Sequence, residues 1–107
     1  MVERFDVYLV SLDPAPTADP KNTRPCVIIS PDEMNRHIQN AIVAPLSALE
    51  ARQYPTRIAV NFLNSERSVV LDQIRTVDKE RLVKKIGRIE SSEQPQILKC
   101  LADMFAE

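Results

Sequence analysis

Among its 107 residues the chain has a single glycine, Gly87. At every other position a Cβ works against positive-φ conformations and against close approach of backbone to a ligand. Cysteine is almost as scarce. Cys26 and Cys100 make neither a disulfide framework nor a zinc-ligand spacing, and each lies in an apolar pattern where a free thiol behaves as a small hydrophobe. The one histidine, His37, and the scattered acids supply no metal-ligand cluster, so any chemistry is expected to run without a metal or other cofactor. No apolar run approaches the ~20 residues that a membrane helix needs. The opening Met1-Val2-Glu3-Arg4-Phe5-Asp6 lacks a basic region followed by an apolar stretch. The chain is therefore expected to be cytoplasmic, with no membrane partner. Internal repeats and low-complexity tracts are absent.

Charge is nearly balanced, with 14 Lys and Arg against 15 Asp and Glu, and a net charge of -1 argues against a strong nonspecific grip on nucleic acid. Its distribution is uneven. Arg75, Lys79, Arg81, Lys84, Lys85 and Arg88 are opposed within their segment only by Asp78 and Glu80. Beyond it, Glu90, Glu93, Asp103 and Glu107 face only Lys99. Most charge runs are solvated faces, so this one permits an anionic partner without demanding it.

A chain of this length builds one core, and residues 1–107 read as a single domain. In residues 4–12, Phe5, Val7 and Leu9 alternate with Asp6, Tyr8 and Val10, which predicts a strand with one buried face. Residues 13–23, with Pro14, Pro16 and Pro20, predict a long, stiff surface loop, and loops of that length are often functional. A second strand spans residues 23–30. Pro31 stops it, and Asp32-Glu33-Met34-Asn35 predicts a helical turn or short helix. A third strand covers residues 41–46 and ends near Pro45. The fourth, residues 56–62, sets Ile58, Val60 and Phe62 on one face. The fifth, residues 68–76, is apolar on both faces until Asp72. After a helical turn at residues 78–82, a sixth strand surrounds Gly87. An amphipathic helix over residues 92–106 closes the chain, with Pro95 in its first turn and a stripe of Ile97, Leu98, Leu101, Met104 and Phe105. The fold class is mainly β with a C-terminal helix, arranged as a small, strongly curved antiparallel barrel that leaves few exposed edges.

The chemistry begins at Arg24-Pro25, which heads the apolar run Cys26-Val27-Ile28-Ile29-Ser30. An always-charged fork of donors at the mouth of a buried strand suits phosphate or carboxylate oxygens. Ile42-Val43-Ala44-Pro45-Leu46-Ser47 and Val69-Val70-Leu71-Asp72-Gln73-Ile74-Arg75-Thr76 likewise end apolar strands in groups able to meet a phosphodiester. Each residue also has a plainer reading. Arg24 can end its strand in an exposed ion pair, and Ser47 can be a turn residue. Asp72 is either a base with its pKa raised by burial or a carboxylate paired with an arginine such as Arg75. His37 reads as a surface residue, and Tyr8 and Tyr54 as core or rim packing before base stacking.

Set in order, these segments resemble the MazF/PemK-like toxins of bacterial toxin–antitoxin modules. The likeness is carried by Asp6-Val7-Tyr8-Leu9-Val10 with Leu12-Asp13-Pro14, and by Thr23-Arg24-Pro25 with Val27-Ile28-Ile29-Ser30. It continues through Ile42-Val43-Ala44-Pro45-Leu46-Ser47, Tyr54-Pro55-Thr56, and Leu71-Asp72-Gln73-Ile74-Arg75-Thr76-Val77-Asp78, then Arg81-Leu82 and Ile86-Gly87. The resemblance implies a PemK/CcdB-like SH3 barrel working as a homodimer. It implies a metal-independent, sequence-selective endoribonuclease that cleaves single-stranded mRNA by 2′-hydroxyl attack. It also implies the toxin role in a type II module, with a cognate antitoxin that blocks the cleft and with the toxin can bind operator DNA.

By the same resemblance Arg24 is the catalytic arginine, and Ser47 stands where the family usually has threonine. Asp72, Gln73 and Arg75 match the polar strand end that lines the RNA groove in relatives, as acid/base or RNA-binding groups. Relatives commonly carry Gly-x-Glu in the first loop; here the match is Thr17-Ala18-Asp19, followed by Pro20, so the acid survives as Asp19, one carbon shorter. Two other readings stand beside this one. A toxin of the same fold that poisons gyrase would act through its C-terminal helix, but the large apolar groups of the helix here are expected to be committed to packing. A catalytically weakened toxin would still bind its antitoxin.

Overall fold

The computed structural model describes residues 1–12, 22–49 and 54–107. The strands are β1 (Asp6–Ser11), β2 (Thr23–Ile28), β3 (Asn40–Ala48), β4 (Arg57–Phe62), β5 (Ser65–Val70), β6 (Arg75–Asp78) and β7 (Leu82–Arg88). Helix α1 (Asp32–His37) follows β2, and α2 (Gln94–Phe105) closes the chain. These seven strands form one antiparallel sheet in the order β4-β5-β3-β2-β1-β7, with β6 also on β3.

Two of the expected strands are built differently. The third runs through Pro45 instead of ending there. Its far edge pairs first with β6 (Val43 opposite Arg75) and then with β5 (Leu46 opposite Val69), so Pro45 falls in the gap between ladders, where its missing N–H costs nothing. The expected fifth strand is two strands, β5 and β6, broken by a 3₁₀ turn at Leu71–Gln73. Leu71 is fully buried and its N–H donates to the Thr56 carbonyl at 3.0 Å, which draws the chain out of the β3 ladder.

Apolar residues fill both faces of the curled sheet, because β2 and β3 alternate between two clusters. Val27, Ala44 and Leu46 join Val7, Val60, Phe62, Leu71 and the helix residue Ile97. Cys26, Ile28, Ala41 and Val43 join Val10 and Val77, with Tyr8, Leu12 and Leu82 at the margin. The first strand accordingly does not have one buried face. Asp6, Val7, Val10 and Ser11 are all fully buried, and shifts in register against β7 between Val7 and Tyr8 and between Leu9 and Val10 turn the alternation over.

Gly87 serves packing, not a special φ. A Cβ there would lie 2.7 Å from the Phe62 ring, so the missing side chain lets β7 close against β4. Among the described residues that seam carries no β4–β7 ladder; side chains close it. Among the described residues positive φ falls instead on Phe5 (75°), Leu63 (49°) and Asn64 (63°). Leu63 and Asn64 make the two-residue hairpin between β4 and β5, a turn that needs φ > 0 twice. Phe5 is held by both backbone groups, donating to Ile28 O at 2.7 Å and accepting from Ile89 N at 2.9 Å.

Helix α2 starts as expected with Pro95 in its first turn. Glu93 at the N-cap makes no capping bond; its carboxylate accepts the Asn61 N–H at 3.0 and 3.2 Å and ties the helix to β4. The inward stripe is Ile97, Cys100, Leu101 and Met104, at i, i+3, i+4 and i+7. Leu98 and Phe105, expected in that stripe, are 38% and 70% exposed, because a helix this short presents only one face to the sheet.

Candidate active site

Strand alternation assembles an open groove of about 520 Å³ on the second face of the sheet, lined by Leu12, Arg24, Cys26, Val43, Pro45, Ser47, Gln73 and Arg75. Arg24 lies two residues before Cys26 on the same face of β2, and Ser47 two residues after Pro45 on β3. Cys26 pairs with Pro45, so the register carried two places further sets Arg24 across from Ser47. Arg75 enters from the other edge of β3, opposite Val43. Gln73 comes from the 3₁₀ turn just before β6. Leu12, Cys26, Val43 and Pro45 make an apolar floor between polar walls.

Neither Arg24 nor Arg75 makes an ion pair among the described residues. Both guanidiniums act on the same sulfur. Burial pushes the Cys26 thiol up to about 11, against the opposing pull of Arg75 and Arg24. Two cations without an ion-pair partner among the described residues, beside a hydroxyl and an amide, suit an anion that brings several acceptor oxygens. Cys26 is 2% exposed and protonated at neutral pH, so it serves as floor and not as nucleophile or base.

Four of the sequence-predicted residues thus come together: Arg24, Ser47, Gln73 and Arg75. Asp72 does not join them. Its carboxylate accepts from Thr56 Oγ1 at 3.0 Å, Arg57 Nε at 3.2 Å and Arg57 Nη2 at 3.3 Å. Those bonds, from Arg57 above all, hold it below the usual carboxylate range, the opposite of what a base near neutrality needs. Of the two readings of Asp72 the paired one is correct, with Arg57 as the partner in place of Arg75. Asp19 and its loop lie outside the described residues.

The other candidates sit elsewhere. His37 is exposed and 3.2 Å from Glu33. Tyr8 is half-buried against the second cluster, and Tyr54 carries the Arg57 guanidinium over its ring at 4.8 Å. Most of the basic segment is spent within the fold. Lys85 and Arg88 converge on the buried Asp6 at 3.2 and 3.0 Å, Lys79 donates to the Asn35 carbonyl, and Arg81 donates to the Ser11 carbonyl at 3.3 Å. Of its six cations only Arg75 lines the groove. The apolar floor was missed in the sequence, although counting by twos from Arg24 and Ser47 would have reached Cys26, Pro45 and Val43. Arg57 carried no signal, because its partner lies across a turn in a separate segment.

The model of the PemK-like, MazF-like toxin of type II toxin-antitoxin system matches residues 3–105. The chain belongs to this toxin family. Endoribonuclease MazF of Staphylococcus epidermidis is 31% identical over 102 residues, which is 91% of this chain and 85% of that protein. Among solved structures, an endoribonuclease from Mycobacterial species in complex with its cognate antitoxin superposes with a TM-score of 0.80 at 24% identity, over 96% of this chain and 93% of that one. Toxin MazF-mt6 of Mycobacterium tuberculosis gives 0.74 at 23% identity, over 94% and 95%. The MazE-MazF structure (Form-II) from Deinococcus radiodurans gives 0.77 at 15% identity, over 98% and 95%. At these identities the three structures show that the MazF-like fold is shared. No helix among the described residues is long and apolar enough to cross a membrane.

Proposed function

We propose that this MazF-like chain is a metal-independent, sequence-selective endoribonuclease that cuts single-stranded mRNA in the cytoplasm, as the toxin of a type II module. The observation that carries the reading is the pair of guanidiniums, Arg24 and Arg75, without ion-pair partners among the described residues, in one groove with Ser47 and Gln73. RNA carries its own nucleophile. When a 2′-hydroxyl attacks the adjacent phosphate, the P–O5′ bond breaks, the 2′-hydroxyl gives its proton to water and the leaving 5′-oxygen takes one from water. The protein must align attacking and leaving oxygens and stabilise the added negative charge. Preorganised donors aimed at developing charge usually contribute more to such an acceleration than any other single effect. Arg24 supplies a charged fork to the non-bridging oxygens, and Ser47 donates one further hydrogen bond. Gln73 and Arg75 hold the neighbouring chain, and the apolar floor seats a base, so that the attack is aligned. Cys26 is a buried floor group, Asp72 is held by Arg57, and His37 lies outside the groove, so charge stabilisation and alignment carry the catalysis of the described groove.

The mycobacterial relative in complex with its cognate antitoxin supports an antitoxin as this chain's protein partner. The working form is a homodimer, and the toxin–antitoxin complex binds operator DNA. The test is incubation of purified protein with mixed-sequence RNA in excess chelator, with sequencing of product ends. Discrete cuts leaving a 5′-hydroxyl and a cyclic phosphate are expected; intact RNA after incubation with folded protein refutes the proposal. One observation favours a second reading, a same-fold toxin that grips gyrase: Phe105, near the end of α2, is 70% exposed and not committed to the core.

A further inference from the structure

We infer that Arg57 and Thr56 form a clamp on Asp72 that sets the Leu71–Gln73 turn and so positions Gln73 in the groove; the role assigned to Gln73 rests on the ribonuclease reading. The turn needs such a device. It is three residues long, has no side-chain cap bond at its start, and interrupts the ladders on β3. What holds it comes from the start of β4. The Thr56 carbonyl takes the Leu71 N–H at 3.0 Å, and the Thr56 hydroxyl donates to Asp72 Oδ1, also at 3.0 Å. Arg57 reaches both carboxylate oxygens, Nε to Oδ1 at 3.2 Å and Nη2 to Oδ2 at 3.3 Å. A two-pronged contact of this kind fixes direction as well as distance.

Arg57 is itself anchored. Its N–H donates to the Tyr54 carbonyl at 3.1 Å, its guanidinium lies 4.8 Å from the centre of the Tyr54 ring, and its backbone opens the β4–β5 ladder opposite Val70. On the far side of the turn, Ile74 packs on the first core cluster and Arg75 enters the β3 ladder. The clamp thus holds one shoulder of the turn and the sheet holds the other. Asp72 faces the clamp while Gln73, the next residue, lines the groove. Among the described residues the side chain of Arg57 meets Asp72 and Tyr54, neither of which lines the groove, so it is a positioning residue that acts through Gln73.

The test is a double-mutant cycle with Arg57→Ala, Gln73→Ala and the double variant, read in steady-state cleavage. A parallel measurement uses binding of the same RNA carrying a 2′-deoxy nucleotide at the cleaved position. Arg57→Ala is expected to weaken binding about fivefold, with the loss in KM and not in kcat, and Arg57→Lys to recover part of it. In the Gln73→Ala background Arg57→Ala should do no further harm. Additive losses, or a loss confined to kcat, would overturn the clamp. Backbone hydrogen exchange supplies a readout that does not depend on RNA. The Arg57→Ala change should speed exchange at residues 71–74 while the β1–β2 ladder keeps its protection; uniform acceleration, or none, refutes the positioning role. If the wild-type protein leaves RNA intact, the ribonuclease reading falls alone, and exchange decides the clamp.

Discussion

On the proposed mechanism, replacing Arg24 with alanine should separate catalysis from folding in this protein. The Arg24 side chain is exposed and has no ion-pair partner among the described residues, so the folded state loses almost nothing with it. Substitutions of that kind stay within about 0.5 kcal/mol, which in a domain of this size moves Tm by roughly 2–4 °C. On the proposed mechanism the transition state should lose far more. Two unit charges 4 Å apart at an effective dielectric near 20 interact by about 4 kcal/mol. Only the charge added between ground and transition state counts toward kcat, and loss of one preorganised donor typically costs about 10²–10³-fold, or roughly 2.7–4 kcal/mol. Arg75 remains to hold the RNA, so KM should rise only a few fold. Arg24→Lys keeps the charge without the fork and should restore about tenfold at most. The assay is single-turnover cleavage in chelator beside a thermal melt of each variant. Arg24→Ala protein that cuts within tenfold of wild type, or that loses activity and Tm together, would refute the argument.

Other outcomes follow from the same structure. Ser47→Ala should slow cleavage about fivefold, one hydrogen bond's worth, and a larger loss than that of Arg24→Ala would make Ser47 the principal group. Gly87→Ala drives a Cβ to 2.7 Å from the Phe62 ring and should destabilise by about 1–3 kcal/mol in urea titration, whereas an unchanged midpoint would mean the β4–β7 seam yields freely. Ile97→Ala at the fully buried helix position should cost about 2–5 kcal/mol, and Phe105→Ser at the exposed end within about 0.5 kcal/mol; equal costs would contradict the assigned helix face. If Phe105→Ser ends growth inhibition in cells while RNA cleavage persists, the gyrase-type reading gains. Because Arg57 holds Asp72 below the ordinary carboxylate range, the unfolded chain takes up that proton more readily. The contribution of Asp72 is therefore complete above the ordinary value near 3.8 and is lost as pH falls through the lowered one. Asp72→Asn should flatten the acid end of the stability–pH curve, and an unchanged slope there would mean that the pair adds nothing to stability.

Much of the fold was legible as local pattern. The period-2 run at Ile58, Val60 and Phe62 and the first-turn position of Pro95 stand where they were expected, while the second strand ends at Ile28, ahead of the stop expected at Pro31. What failed did so for non-local reasons. Residues 68–76 read as one strand, apolar until Asp72, yet burial of Leu71 and the Thr56 contact break it in two. Phe105 fits a helical stripe by spacing alone and still faces away, because which side of a helix meets the sheet is set by the sheet. Glycine scarcity argued against positive φ, but Phe5, Leu63 and Asn64 adopt it under the constraint of their neighbours.

By itself the sequence determined the order of strands and helix, the family, and the identity of the charged and hydroxyl groups that chemistry can use. Those properties live in short-range spacing and ordered motifs, which are read along the chain alone. Only the tertiary structure decided that Arg24, Ser47, Gln73 and Arg75 share one groove, that Cys26 is its floor, and that Asp72 turns away to Arg57. Register between distant strands makes those choices, and register is settled by the packing of both sheet faces at once.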